Sequence, residues 1–537
     1  MLSRKQTTTV VIVLALMLLM ATRVFATGGA EETVNYGFLS LLPPILTITL
    51  AFITKQTIVS MFMGVWLGST IVNGWNPIDG LIKSFTSFIF PQIADMWNAG
   101  MLVIMILIGG FIYMISASGA SESFEMWAEK EVNSRFRAQL LTWVAPFIFI
   151  FNQGCLLVGV IMRPITDKNR VSRVKLAYFT DALGAPLVSM SPISDNGVYL
   201  VGLIAAQIAG LGLTGTNEWN LYFRMFIFNF YGIFSVITAL LVILFSLDIG
   251  PMYKAEKLAM DTGKVYGDND KLISEPPVSN IPKSYNLTYK NIVVPLLTFI
   301  ITIFATIFYT GKIWENGFIG SFGNANIQIA IAFSFLFGSV SASVVAVTTK
   351  LLTINRCIDK WTAGGGMMVQ VMIILVMAWS ISSVTKFMQI GPFMTNIVQN
   401  TVMPQMIPAI IFLVGVIISF ATGSSWGVWA LGMPIAIPMA YKLGIPIPLA
   451  IGAVVSGGLF GDHCSPISDT TIQSSTGACC DHIEHVKTQL PYALIVGIAS
   501  FLGYLISGFI NIYLGIPVTF MLILAMLLTV KRMTSVK

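Results

Sequence analysis

Apolar runs of membrane-spanning length recur along this sequence from Tyr36 to Val530, and that recurrence leaves the backbone few options. The hydrocarbon core of a bilayer, about 30 Å thick, takes about 20 mostly apolar residues per helix. In lipid each backbone N–H and C=O needs a partner within the protein, so runs of this kind form helices. They extend over Tyr36 to Lys55, Thr57 to Trp75, Trp97 to Gly119, Ala138 to Met162, Val198 to Leu213 and Leu221 to Leu247, and resume from Ile292 onward. By length they amount to about eleven to thirteen spans, with Gly and Pro interrupting several. The fold class is therefore all-α: a polytopic membrane protein with discontinuous helices. Charged residues make up 10% of the chain, against about 25% in soluble domains. Almost the whole chain belongs in lipid.

The formal net charge of +6 sits mostly in the connections, where Lys and Arg orient helices against the inner leaflet. Membrane lipids are the expected surroundings, and no nucleic-acid partner is expected. The longest polar stretch, 248–291, carries six lysines and reads as an irregular cytoplasmic linker between a first transmembrane half, 36–247, and a second, 292–530. Residues 1–30 read equally as a cleaved signal peptide or a first transmembrane helix. Five cysteines, an odd number beside apolar segments, give no disulfide framework. Basic residues flank the run Ala138 to Met162 on both sides, Arg135 and Arg137 before it and Arg163, Lys168, Arg170, Arg173 and Lys175 after it. Either that run is broken and re-entrant, or one basic cluster lies on the outer side.

Ser191-Pro192-Ile193-Ser194-Asp195 recurs as Ser465-Pro466-Ile467-Ser468-Asp469, 274 residues later. Upstream of the first copy stands a polar break, Asn152-Gln153-Gly154, then an apolar run to Met162-Arg163-Pro164-Ile165; upstream of the second stand Gly423-Ser424-Ser425-Trp426-Gly427 and a run to Met433-Pro434-Ile435. The same parts thus occur twice in the same order. Paired interruptions of two halves point to a transporter site built from discontinuous helices near the bilayer midplane.

Pro192 and Pro466 donate no hydrogen bond and disfavour helix in the residue before them, which frees carbonyls at membrane depth. A hard cation uses such carbonyls, with hydroxyls and a carboxylate completing its shell. The first candidates as Na⁺ ligands are therefore Asp195 and Asp469, assisted by Ser191, Ser194, Ser465, Ser468 and Thr470. Asp181 and Asp462 are further intramembrane acids, suited to the site, to a vestibule or to a helix cap. Asn152, Gln153, Ser424 and Ser425 offer polar groups at the two breaks. The bland reading of the repeat is that its Ser and Asp cap helices.

Two other signals carry less. Gly423-Ser424-Ser425-Trp426-Gly427 matches G-x-S-x-G, but no parallel-sheet pattern surrounds it, so an enzyme is not expected. Cys479-Cys480-Asp481-His482-Ile483-Glu484-His485 holds zinc-type ligands, yet adjacent cysteines do not span two corners of one tetrahedron in the usual spacing. It reads as a polar helix start at the membrane edge.

The blocks Gly159 to Tyr178 through Asp195, and Ser456 to Thr471 through the Cys-Asp-His element to Tyr492, resemble the NhaC family of sodium/proton antiporters. That resemblance covers most of the chain after about residue 36. It implies inverted repeats, a multi-pass protein of the bacterial cytoplasmic membrane, and sodium-coupled antiport, with proton exchange typical and organic-acid exchange known in relatives. Where the family commonly has Asp-Asp-Tyr, this chain has Ile150-Phe151-Asn152. Asn ligates but does not titrate, so the counter-substrate is either a proton held on Asp181, Asp195, Asp462 or Asp469, or a small organic solute such as an amino acid or organic anion. No resident cofactor is implied, only Na⁺ as the coupling ion, and a homodimer is one assembly open to it.

Overall fold

The structure, a computed structural model, describes residues 36–54, 56–120, 123–124, 126, 131–148, 155–213, 216–268, 270–272, 289–389, 393, 403–466 and 468–535. The N-terminal segment 1–30, Asn152, Gln153, Ile467 and linker residues 273–288 lie outside the described residues. Among the described residues there are helices and turns and a single isolated bridge, Leu272 to Asp481.

A short 3-10 turn leads into α1 (Leu42–Thr54), which packs against α2 (Thr57–Val72). The chain then turns by 116° into α3 (Pro77–Lys83), a π-helical stretch at Ser84–Ile89 and α4 (Phe90–Ala94). After α5 (Met96–Ala117) come α6 (Arg135–Ile148), α7 (Cys155–Lys168), α8 (Arg173–Ser189) and α9 (Asp195–Leu211), then α10 (Glu218–Met225) and α11 (Phe230–Phe245). The linker is not irregular throughout: α12 (Gly250–Thr262) forms within it. Its Glu256 is buried and paired with Lys175 and Arg135. The second half runs through α13 (Lys290–Thr310), α14 (Ile313–Asn324), α15 (Ile327–Thr348), α16 (Ile354–Met367) and α17 (Val369–Phe387). It ends with α18 (Ile407–Thr422), α19 (Ser425–Lys442), α20 (Ile447–Cys464), α21 (Asp469–Ala478), α22 (His482–Phe509) and α23 (Gly515–Ser535).

Eight helices among the described residues are long and apolar enough to cross a membrane, and ten if each bent pair counts as one span. The length criterion alone gives more because it treats Ala138 to Met162 as one span. The structure divides that run between α6 and α7, and the run from Ile407 to Tyr441 between α18 and α19. Two groups of helices emerge. In one, α5, α13, α15 and α16 pack together around Phe111, Phe299 and Phe335, whose ring centroids lie 4.9 to 5.5 Å apart. Each such aromatic pair adds about 1 kcal/mol beyond its buried area. These helices turn Phe304, Phe333, Phe337 and Val344 outward, as lipid-facing surfaces do.

The other group holds the half-length helices, and its interior is polar. α8 and α20 are buried along nearly their whole lengths. Both repeat copies begin their helices in the same way: Ser194 accepts from the Gly197 N–H ahead of α9, and Ser468 from the Thr470 and Thr471 N–H groups ahead of α21. Serine at this position satisfies donors that the first helical turn leaves open. The capping reading of these serines is thus realised, and it sets the directions in which the two helices leave their turns.

Candidate functional site

Two hairpins dipping into the fold frame the site. At the base of the first, the Arg135 guanidinium at the start of α6 donates to the Arg170 carbonyl just past the end of α7 and to Glu256 of α12. Both ends of the segment therefore lie together, as the re-entrant alternative requires. That geometry explains why basic residues flank it twice. At the base of the second, Ile407 of α18 packs with Met439 of α19 in one apolar cluster. Its turn falls at Gly423, left-handed with φ 67°, and Ser424 caps α19 by accepting from the Gly427 N–H. Among the described residues this is the one hairpin tip on view, because 149–154 are not among them.

The helices after the two repeat copies cross over to opposite hairpins. α9 packs on α19, and the Tyr199 hydroxyl, one turn after Asp195, donates to the Trp426 carbonyl over 3.1 Å. α21 packs on α7, where a Cβ on Gly159 would lie 2.9 Å from the Gly477 backbone. Small residues at such a crossing let backbones approach closely. Each half of the chain thus completes the wall begun by the other.

Between these crossings lie two buried acids. Asp181, in the middle of α8, is 1% exposed. Its Oδ2 accepts from the Thr471 hydroxyl (2.9 Å) and the Gln489 amide (3.0 Å), while its Oδ1 has no hydrogen-bond partner among the described residues. Asp462, near the end of α20, is 4% exposed. Its Oδ2 accepts from the Ser425 N–H at 3.3 Å, and its Oδ1 is likewise without a partner among the described residues. The hydroxyls of Ser468 and Ser425 stand beside the Asp462 carboxyl. Gln489 ties Asp181 to the end of α20 by donating also to the His463 carbonyl, 2.7 Å away. Two buried carboxylate oxygens without donors are what a cation or a proton satisfies.

The structure distributes the sequence candidates unevenly. Asp195 is buried at the start of α9, 4% exposed, and accepts from the Asn196 N–H at 2.7 Å. Asp469, its counterpart at the start of α21, is exposed. Of the two repeat acids, Asp195 is thus buried and Asp469 exposed, while Asp181 and Asp462 are both buried. The physical reason is that Asp469 is the first helical residue after the Ser468 cap and turns away from the polar interior that Thr470 and Thr471 face. Ser194 donates to the Val188 and Ser191 carbonyls, Ser465 donates to the Phe420 carbonyl, and Thr470 bonds the Ser468 hydroxyl. The Ser191 hydroxyl is buried without a partner among the described residues.

Thr471, Gln489 and His485 escape a reading based on the repeat alone, since none belongs to it. A signal was present: Asp481, His485 and Gln489 stand four residues apart, a polar stripe along one face of a membrane helix. Asp481 caps α22 by accepting from the Ile483 and Glu484 N–H groups, so the Cys-Asp-His element does open a helix.

Many membrane-length helices around buried acids define a multi-pass helical membrane protein, and its class as a secondary antiporter follows from its relatives. The sequence profile described as the Na⁺/H⁺ antiporter family matches residues 197–509, more than half of the chain, and the chain belongs to that family. An uncharacterized protein of Haemophilus influenzae is 32% identical over 484 residues, 88% of this chain and 91% of its own length. A malate-2H⁺/Na⁺-lactate antiporter of Bacillus subtilis is 37% identical over 93 residues, 17% of this chain and 20% of its own. The crystal structure of the Alcanivorax borkumensis YdaH transporter shares the fold, with a TM-score of 0.56 at 13% identity over 88% of this chain and 99% of that one.

Proposed function

We propose that the chain is a sodium-coupled antiporter of the bacterial cytoplasmic membrane, exchanging Na⁺ for protons at the pocket between Asp181 and Asp462. The observation that carries this reading is the pair of orphaned carboxylate oxygens, one from each half of the chain. Asp462, with the Ser425 and Ser468 hydroxyls, takes the sodium ion as substrate. Asp181 takes the proton. Two carboxylates in one buried pocket repel each other, so the pocket favours one added positive charge, and Na⁺ and H⁺ compete for that vacancy. Such competition is the physical basis of exchange. One-for-one exchange moves no net charge, so the sodium and proton concentration gradients, and not the membrane potential, drive the cycle.

Asp195 supports the site from the Tyr199–Trp426 crossing as a third buried acid. Asp469 lies at the rim, and Ser191, Ser194, Ser465 and Thr470 hold the turns that aim α9 and α21. The test is Na⁺-dependent dequenching of a pH dye in everted membrane vesicles. Asp462→Asn and Asp181→Asn are each expected to abolish it; undiminished dequenching in either variant overturns the assignment.

A second reading keeps Na⁺ and changes the cargo to a small organic solute. It is favoured by Asn152 standing where the family has an acid, and by the relative named for malate and lactate. Asn152, Gln153, Ser424 and Ser425 would then bind the solute's polar ends. Should wild-type vesicles move no protons, sodium-dependent thermal stabilisation by organic acids or amino acids is the expected sign.

A further inference from the structure

The chain has three histidines in 537 residues, and all three stand in one cluster around the Asp181 pocket. Ser475, on α21, occupies its middle. The Ser475 hydroxyl lies 2.9 Å from His482 Nδ1, 2.8 Å from His485 Nδ1 and 2.8 Å from the Thr471 carbonyl. His482 Nε2 reaches the Pro466 carbonyl at 2.7 Å. His485 Nε2 stands 4.0 Å from Asp181 Oδ2. His482 is half-buried and His485 fully buried, so the row runs from the rim to the interior.

We propose that His482, Ser475 and His485 form a proton path leading to Asp181 from the side of the linker. This deepens the reading above and rests on Asp181 being the proton carrier. Hydrogen-bond chemistry gives the row a direction. A carbonyl only accepts, so His482 Nε2 carries a hydrogen towards Pro466, and a second proton on the ring resides on Nδ1, facing Ser475. Ser475 has one hydroxyl hydrogen and three acceptors around it, so its proton is shared among them in turn.

In the transfer, His482 Nδ1–H breaks and Ser475 gains that proton as its own O–H proton passes to His485 Nδ1. His485 then releases its Nε2–H proton to Asp181 Oδ2. One N–H bond is lost at His482 and one O–H bond forms on Asp181. Ser475 and His485 end with the proton counts they began with, His485 in its other tautomer. The last gap exceeds a hydrogen bond. It closes by a movement of about 1 Å or through one water, so the final hop is the gated one.

The groups around the path fit a route that ends at Asp181. His485 faces Asp181 from α8 and His463 from α20, with His482 and Gln489 on its own helix. Asp181 also lies in the field of Asp462 and Cys464 from α20, Cys155 from α7 and Tyr231 from α11. At the entrance, Asp481 beside His482 accepts from the Lys271 N–H of the linker at 2.8 Å. The linker's lysines mark that side as cytoplasmic.

The test uses the full chain reconstituted in liposomes, with Na⁺-driven proton flux and isotopic Na⁺/Na⁺ exchange measured on the same vesicles. His482→Gln and Ser475→Ala are expected to slow proton flux about a hundredfold and to leave Na⁺/Na⁺ exchange unaltered, and Ser475→Thr is expected to restore proton flux. Unchanged proton flux in both His482→Gln and Ser475→Ala overturns the path. If the wild type exchanges Na⁺ but moves no protons, the parent reading fails, and histidine ¹⁵N NMR then judges the path separately. Ser475→Ala must shift the tautomers of His482 and His485 together; unshifted tautomers overturn it.

Discussion

Five identical residues stand at 191–195 and at 465–469, yet the two copies end in different surroundings. In the first, the turn is tight: a Cβ on Gly197 would come within 1.9 Å of the Ser191 carbonyl, so no side chain fits there. In the second, the equivalent position is Thr471, and its hydroxyl reaches Asp181. α9 runs on for 17 residues and keeps Asp195 inside, whereas α21 stops after 10 at the left-handed Cys479 and leaves Asp469 exposed. The repeat fixes the local turn and cap. The helix beyond the turn decides which side chains face the pocket.

The sharpest way to break this comparison is Gly197→Ala. The clash with the Ser191 carbonyl is expected to cost about 3 kcal/mol or more, read as a large fall in the melting temperature of the purified protein. Thr471→Gly, at the equivalent position, is expected to leave folding nearly intact while weakening exchange.

Next comes the pair of acids. Asp195→Asn is expected to weaken apparent Na⁺ affinity about tenfold, and Asp469→Asn less than about twofold. Equal effects from Na⁺ titrations of vesicle exchange would mean the two copies serve the site alike after all.

The caps come third. Ser194→Ala removes a cap and two further hydrogen bonds and should cost about 2 kcal/mol, against about 1 kcal/mol for Ser468→Ala, by thermal denaturation.

The smallest effect concerns pH. At Asp481 burial presses the carboxyl upward, but the N–H groups of Glu484, Lys271 and Ile483 outweigh it and hold the carboxyl below its ordinary range. A folded value below the unfolded one stabilises fully above about pH 4 and is lost as pH falls through the lowered value. Protease cleavage of the linker near Lys271 should therefore rise only under acid conditions, and Asp481→Asn should bring that susceptibility to neutral pH.

The helical membrane fold and the broken segments were legible in the sequence because apolar length and proline leave strong local marks. Asp181 and Asp462 were legible as costly acids in lipid. The partners of Asp181 were not, since it meets Thr471 and Gln489 across about 300 residues of sequence. Taking Asp195 and Asp469 together assumed that like sequence means like environment, and the unequal lengths of α9 and α21 go with unequal burial of the two acids. His485 was hidden for a similar reason: the element containing it looked like a helix start, and the partner that gives it meaning lies in the other half.

The two hairpin bases are fastened by different means. Arg135 bolts the first to Glu256 of the linker helix, which Lys175 of α8 also grips, whereas the base of the second rests on the apolar contact of Ile407 with Met439 and its directional bonds lie nearer the tip, at Ser419, Ser425 and Trp426. Directional bonds resist sliding, and apolar surfaces tolerate it. Slippage at the base of the second hairpin would therefore meet less resistance than at the base of the first, while its tip stays tied to α9 and α20.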